Sequence, residues 1–146
     1  MENNQDIRWL QRFDNFKKAL SKLNTFCSVE KLNELEEQGL IKAFEYTYEL
    51  AWKTLQDLFQ EKGFEHIAGP KPVIDHAFQT GYIKDGKAWV QMHKSRNLTS
   101  QTYDSQTAQE IANEIRNTYV SLLNDLAKTL LEEPDNLKNT LFDKFE

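Results

Sequence analysis

Apolar residues recur along this chain at alternating steps of three and four, over stretches too long for a strand. Such spacing places them on one face of an α-helix. No segment alternates with the period of two that is typical of a half-buried strand. The three longest apolar rows are Trp9, Phe13, Phe16, Leu20 and Leu23; Ile41, Phe44, Tyr48, Ala51, Leu55 and Leu58; and Ala108, Ile111, Ile115, Tyr119, Leu122, Leu126 and Leu130.

Three long amphipathic helices with shorter ones between them predict an all-α fold, an antiparallel four- to five-helix up-and-down bundle. A length of 146 residues suits one domain. We place the bundle over residues 1–133, with a tail over 134–146 that is either a weak docking helix or disordered. The rows carry more aromatic surface than one small bundle needs, so a homodimer is expected.

Turn and cap signals predict where the long helices begin and end. The first helix is expected over 6–23, with a break at 24–28 in which Ser28 or a neighbour caps the second helix. That second helix is expected over 32–62, divided at Gly39 and followed by Gly63 as its C-terminal stop.

Shorter helices are expected between the long ones. Pro72 suits the first turn of a helix that ends before Gly81, and Asp85 suits the cap of the next. Ser105 is the expected cap of the last long helix, which ends before Pro134. The residues expected to face the core from the short helices are Val73, Ala77, Phe78, Trp89 and Met92.

The net charge of −5 argues against general nucleic-acid binding, which needs a basic surface to displace phosphate counterions. A local basic patch remains open, and its members would be Lys84, Lys87, Lys94 and Arg96. Cys27 is the sole cysteine, which fits a reducing compartment. The polar start lacks the features of a signal peptide, and no apolar run approaches the ~20 residues of a membrane span. We therefore expect a cytoplasmic protein without a membrane segment.

A polar window over residues 89–104 separates two apolar-periodic helices and is longer than a simple turn needs. It contains Arg96, Asn97, Gln101 and Tyr103, together with several hydroxyl side chains. Arginine has a planar fork that suits phosphate, although a surface or interface ion pair is its more ordinary role. Asn97 could equally cap a helix or turn. Tyr103 is either a half-buried packing residue or an exposed site of modification.

Several segments together resemble one family. They are AFEYTYELAWK at 43–53, GPKPVI at 69–74 followed by Ala77-Phe78 and Gly81-Tyr82-Ile83, and the polar window itself. In this order and spacing the chain resembles the nucleotidyltransferase substrate-binding proteins of the HEPN superfamily. Their signature is Arg-Asn-x-x-x-His-x-Tyr, and here Gln101 stands at the position of the histidine.

The resemblance implies a helical bundle that dimerises and binds a minimal nucleotidyltransferase encoded nearby, giving a heterotetramer. ATP and Mg²⁺ would then enter through that partner, with no cofactor of this chain's own. Some relatives are ribonuclease toxins that are silenced when the nucleotidyltransferase attaches AMP to the motif tyrosine, here Tyr103.

The ribonuclease chemistry needs a base to take the 2′-hydroxyl proton and a cation to stabilise the phosphorane. Arg96 could be that cation and is the one catalytic candidate, but a glutamine such as Gln101 accepts no proton at neutral pH. His93 and His76 do not stand at the motif position. We therefore expect a non-catalytic binding subunit whose acceptor is unknown, with an active or decayed ribonuclease toxin as the alternative. A purely structural adaptor is a third hypothesis.

Glu45, Glu49 and Lys53 lie at four-residue steps on one helix. They form either a solvated face with a Glu49–Lys53 pair, or part of a binding surface beside Arg96 that holds a polyamine-like or aminoglycoside-like acceptor. Trp52 and Trp89 would support that surface or belong to the core. The histidines and Cys27 show no metal-ligand spacing, so no metal site is expected.

Overall fold

The computed structural model describes the backbone of residues 4–145 and the side chains of residues 8–133. Within that backbone range every regular element is helical, which confirms the all-α prediction. The elements are α1 (Asn4–Cys27), α2 (Glu34–Glu61), α3 (Pro70–Gln79), α4 (Gly86–Leu98), a 3-10 turn (Thr99–Gln101), α5 (Ser105–Glu114), a π-helical turn (Ile115–Tyr119) and α6 (Val120–Phe145). α5, the π-helical turn and α6 follow one another without a gap, so they form one continuous helical segment.

Helices α1 and α2 form an antiparallel hairpin. Arg12, near the start of α1, donates from Nε to Asp57 near the end of α2 at 2.9 Å. Every member of the first two apolar rows is buried between these helices and their neighbours. Each such large side chain contributes about 1.5–3 kcal/mol by leaving water.

The ends of the long helices differ in detail from the sequence-based expectation. α1 continues to Cys27, so the predicted break is shorter, and α2 passes through Gly39 without a division. The cap of α2 is Asn33 rather than Ser28, because Asn33 and Glu36 satisfy each other's backbone N–H groups in a capping box. Gly63 follows α2 with φ +100°, as its predicted role as a stop requires.

Three further predictions concern the shorter elements. α3 begins at Pro70 rather than Pro72, and Asp85 caps α4 as expected by accepting from the Ala88 N–H at 3.1 Å. Asp104, and not Ser105, occupies the cap position of α5. The Thr107 hydroxyl donates to the Asp104 carboxylate at 2.7 Å, and this bond lowers the pKa of Asp104.

The π-helical turn changes one member of the predicted apolar row of the last long helix, while Leu126 and Leu130 are buried as expected. Leu123 is fully buried, whereas the predicted Leu122 is only partly buried. Ile115, Tyr119 and Leu123 are spaced by four residues each, which is longer than the 3.6 residues of an α-helical turn. The wider π turn absorbs the extra residue and keeps this row against the core.

The short helices α3 and α4 bury Val73, Ala77, Trp89 and Met92 as expected. Phe78 was expected to face the core, but it is 49 % exposed and Ile74 is buried in its place. The last long helix was expected to end before Pro134, but α6 continues through this residue to Phe145. The side chains of the predicted tail, residues 134–146, lie outside the part of the chain that is described. In the described part, no helix combines the length and apolarity needed to cross a membrane.

Candidate functional site

Arg96 lies at the centre of the polar window and is held by two carboxylates of α2. Its Nε donates to Glu49 Oε2 at 3.1 Å, and its Nη1 lies 3.7 Å from Glu45 Oε2. All three side chains are partly buried, with 29 %, 31 % and 22 % exposure for Arg96, Glu49 and Glu45. Arg96 therefore forms ion pairs within the folded chain, as its more ordinary predicted role requires. Glu49 was expected to pair with Lys53, but it pairs with Arg96.

Two neighbours complete this arrangement. The Thr99 hydroxyl donates to Glu45 and lies 3.5 Å from Arg96 Nη1. The Trp52 indole N–H donates to Glu49 Oε1 at 3.3 Å, so both oxygens of that carboxylate have partners. We call Glu45, Glu49, Arg96 and Thr99 the carboxylate–arginine cluster. Trp52 contacts the cluster through its hydrogen bond to Glu49 and is also part of the buried core, whereas Trp89 is 1 % exposed and belongs to the core alone.

His93 lies one turn before Arg96 on α4, and its ring is held by a hydrogen bond to a residue of α2. Its Nδ1 lies 2.8 Å from the hydroxyl of the buried Tyr48, and its Nε2 lies 3.5 Å from the Asn97 amide nitrogen. Burial, followed by the positive charge of Lys71, lowers the pKa of His93. The imidazole is therefore mostly neutral at pH 7, with one ring nitrogen able to donate and the other able to accept.

A second buried bond fixes α4 against the π-helical turn. The Ser95 and Tyr119 hydroxyl oxygens lie 2.7 Å apart, and the Tyr119 hydroxyl also lies 3.3 Å from the Gln91 carbonyl. Burial raises the pKa of Tyr119, so its hydroxyl stays protonated. Because α4 is held in this way, the turns that carry His93 and Arg96 have a fixed orientation toward α2.

Within residues 8–133, no side-chain hydrogen bond or ion pair joins Gln101 or Tyr103 to the carboxylate–arginine cluster. The helix ends at Leu98, and a 3-10 turn carries Gln101 to the surface. Thr102 binds Gln38 of α2 twice, through its carbonyl at 2.9 Å and its hydroxyl at 3.2 Å. Tyr103 is 90 % exposed. Of the two roles predicted for this residue, half-buried packing is therefore excluded, and its side chain is accessible. An unbroken helix would have placed Arg96 and Tyr103 on one face, and the turn prevents this.

A groove of about 790 Å³ lies between α3 and α4. Lys87 and Lys94 of the predicted basic patch line it, whereas Lys84 borders another cavity and Arg96 is paired with carboxylates. Sequence reasoning missed the contribution of α3, which supplies Lys71, Ile74 and Phe78. The exposure of Phe78 and Val90 is seen only in the folded chain, so the sequence carried no direct signal for this wall. Among residues 8–133, no set of three or more His, Cys, Asp or Glu side chains could hold a metal ion.

Comparison with solved structures supports the fold assignment. A protein from Thermus thermophilus is 32 % identical, with a TM-score of 0.73 over 79 % of this chain and 98 % of its own. A protein from Haemophilus influenzae, described as revealing the fold of a substrate binding domain of a nucleotidyltransferase, is 21 % identical. Its TM-score is 0.61 over 86 % of this chain and 98 % of its own, which shows a shared fold.

Sequence comparison adds a relative and a family. "Probable ribonuclease HepT" of Haemophilus influenzae is 32 % identical over 77 residues, which are 50 % of this chain. The matched region spans about half of that relative, 53 % of its length. The family described as "Nucleotidyltransferase substrate binding protein like" matches residues 11–132. Because that match extends over most of the 146 residues, the chain belongs to the nucleotidyltransferase substrate-binding protein-like family.

Proposed function

We propose that this chain is the non-catalytic subunit of a two-component system in which a minimal nucleotidyltransferase carries out nucleotidyl transfer. The observation that carries the proposal is the state of Arg96, whose guanidinium is engaged by Glu45 and Glu49. The Nε–H group of Arg96 is used by Glu49, and Nη1 lies beside Glu45 and Thr99, so part of the guanidinium is already engaged within the chain. Two carboxylates at this position also repel phosphate, so the arrangement favours a structural and binding role.

Membership of this family supports a nucleotidyltransferase as the partner of this chain. A nucleotidyltransferase bound to this chain would supply the acidic residues, the Mg²⁺ and the ATP. The assembly we propose is a homodimer of this chain with one nucleotidyltransferase on each copy, working in the cytoplasm.

One form of the proposal makes Tyr103 the acceptor of AMP. Its hydroxyl oxygen would attack the α-phosphorus of ATP held by the partner. A new oxygen–phosphorus bond forms, the bond to pyrophosphate breaks, and the phenolic proton passes to a base of the partner or to water. The 90 % exposure of Tyr103 supports this form, because a partner's active site can reach the side chain.

In the other form, the chain presents a surface for a separate acceptor. Arg96, Asn97 and Gln101 would form its polar wall beside Glu45 and Glu49. Capture of a polyamine-like or aminoglycoside-like acceptor by the two carboxylates stays a prediction. The ion pairs with Arg96 leave less negative charge for such a cation than the sequence alone suggested.

The test is co-expression with the nucleotidyltransferase encoded beside this chain, followed by incubation with ATP and Mg²⁺ and intact-mass measurement. A mass gain of AMP units that is lost in Tyr103→Phe identifies this chain as the acceptor. Tyr46→Phe is the matched control, because Tyr46 is also exposed, at 62 %, but lies on α2. A stable complex without a mass gain favours the separate acceptor, and failure to form a complex contradicts both forms.

An HEPN-type ribonuclease toxin, active or decayed, is the second candidate, and similarity to the "Probable ribonuclease HepT" favours it. The replacement of the motif histidine by Gln101 speaks against activity, because no base stands at that position. RNA cleavage by the unaltered chain that is abolished in Arg96→Ala would replace our first proposal. Cleavage gained only in Gln101→His, and again dependent on Arg96, would indicate a decayed nuclease.

A further inference from the structure

A concave surface of about 400 Å³ lies where the start of α2 meets the residues around the start of α5. Its lining includes Glu34, Leu35 and Glu37 of α2 together with Tyr103, and we call these four residues the Leu35–Tyr103 face. Leu35 is 82 % exposed and Tyr103 is 90 % exposed, the two highest values for large apolar side chains among the described residues. Because both border one surface, they form a patch, and such patches mark contact sites for other molecules.

The folding of α2 does not account for the exposure of Leu35. The helix starts are closed by Asn33 and Glu36, which satisfy each other's backbone N–H groups without Leu35. The buried face of α2 begins only at Leu40. An exposed leucine gains free energy when another molecule removes it from water, so its position favours a partner that covers it.

The Leu35–Tyr103 face is acidic. Glu34 and Glu37 both line it, and within residues 8–133 neither forms an ion pair and no lysine or arginine joins the lining. The dipole of α2 stabilises acidic residues at its start, so their charge alone does not indicate a partner. The charge does define the chemistry of any protein that covers Leu35. That protein must bring basic side chains to the two carboxylates, because burying them unpaired is costly.

We propose that the Leu35–Tyr103 face docks the nucleotidyltransferase, with Leu35 in an apolar socket of that protein and its lysine or arginine side chains opposite Glu34 and Glu37. This rests on the proposed function, in the form that makes Tyr103 the acceptor of AMP. Leu35 and Tyr103 border the same small surface, so a protein that encloses the Tyr103 hydroxyl also covers Leu35. A second copy of this chain fits less well, because a two-fold contact would bring the acidic face against itself.

The experiment titrates the purified chain into the purified nucleotidyltransferase encoded beside it and measures the affinity by calorimetry. Leu35→Ala should weaken binding by about tenfold, because most of the apolar area that the leucine buries in the socket is lost. Leu35 lies outside the core, so the substitution leaves the fold intact. Leu131→Ala is the matched control and should bind normally, since Leu131 is also exposed, at 47 %, but lies on α6.

A second pair of variants tests the charge. Glu34→Gln with Glu37→Gln should weaken binding by about fivefold at low salt and reduce the dependence of the affinity on salt concentration. Glu65→Gln with Glu132→Gln is the control, because both residues are exposed and the change in net charge is the same. This control should keep the salt dependence of the unaltered chain.

The docking proposal and the proposed function fail in different ways. If Leu35→Ala binds as tightly as Leu131→Ala, or if the two double variants show the same salt dependence, the docking surface lies elsewhere while the complex still supports the proposed function. If Leu35→Ala alters only the self-association of the isolated chain, the face belongs to the homodimer, and the docking proposal is wrong. If the unaltered chain forms no complex, the proposed function is contradicted and the docking proposal falls with it.

Discussion

The Nε atom of Arg96 lies 3.1 Å from Oε2 of Glu49, which ties the last turn of α4 to the middle of α2. The two residues are 47 positions apart, so the bond fixes the relative position of two helices that meet only in the folded chain. Because the same carboxylate accepts the Trp52 N–H, loss of the arginine leaves a half-buried charge with one weak partner.

Arg96→Ala should lower the free energy of unfolding by about 1–2 kcal/mol, because Glu45 and Glu49 lose their shared cation while partly buried. Arg96→Lys should recover only part of this, since an ammonium group cannot reach both carboxylates with a fixed fork. Urea unfolding measures both variants. Arg8→Ala is the control, because Arg8 is exposed on α1. Equal stabilities of the Arg96→Ala and Arg8→Ala chains would contradict the structural role of Arg96.

The Ser95–Tyr119 bond should contribute about 1 kcal/mol, since it is a buried bond between neutral hydroxyl groups. Tyr119→Phe leaves the Ser95 hydroxyl without this partner, whereas Ser95→Ala leaves Tyr119 its contact with the Gln91 carbonyl. We therefore expect the tyrosine substitution to cost more. A double-mutant cycle by chemical denaturation gives the coupling energy between the two. Strictly additive effects would show that the two hydroxyls contribute independently.

Stability should fall as the pH drops below about 6.5, and His93 should account for part of the fall. The pKa of His93 is lowered in the folded chain, so the unfolded chain binds the proton more readily and acid favours unfolding. Above that pH the ring is neutral in both states and this contribution is constant. The charged groups that act on the ring are Lys71 from α3, Glu49 from α2 and Arg96 from α4 itself.

The measurement compares urea midpoints near pH 7.5 and near pH 5.5, on either side of the ordinary histidine pKa. His93→Gln should show a smaller difference between the two conditions than the unaltered chain. His66→Gln is the control, since His66 is an exposed histidine in the loop before α3. If both variants keep the full pH dependence, other groups are responsible for it.

Deletion of Asn117 should be tolerated. Asn117 is exposed within the π-helical turn, and removing one residue converts that turn to regular α-helix. The spacing from Ile115 to Leu123 then falls to seven residues, about two α-helical turns, so α6 keeps its buried face. Calorimetry should show a cooperative transition with a modest loss from the moved Tyr119. Deletion of the exposed Tyr46 in regular α2 is the control and should abolish folding, because it rotates every later core residue of that helix.

The long helices could be predicted because their apolar rows are local patterns. Trp9 to Leu23 and Ile41 to Leu58 lie where their spacing places them. The π-helical turn was missed because a one-residue offset between Leu122 and Leu123 is invisible when both are leucine. The cap of α2 was missed because the Asn33–Glu36 pair lies inside a stretch assigned to the helix.

The composition of the candidate site was predicted, and the position of Glu45 and Glu49 beside Arg96 was one of two alternatives. Arg96, Glu45 and Glu49 were singled out, and the structure brings them together. Their pairing depends on the crossing of α2 and α4, which local sequence does not specify. Gln101 and Tyr103 were grouped with Arg96 by their spacing, but α4 ends at Leu98 and the 3-10 turn interrupts the helical face that they would have shared. The α3–α4 groove was missed because its wall combines two helices, and Phe78 was assigned to the core.

The paired hydrogen bonds between Thr102 and Gln38 hold the backbone directly before Tyr103 against α2. In a flexible loop, ordering each residue on docking would cost about 1–2 kcal/mol of free energy through lost conformational entropy. Here much of that ordering is complete when the chain folds, so a protein that engages Tyr103 meets a preformed epitope. Few contacts then suffice for recognition, and the encounter resembles rigid-body docking more than coupled folding and binding.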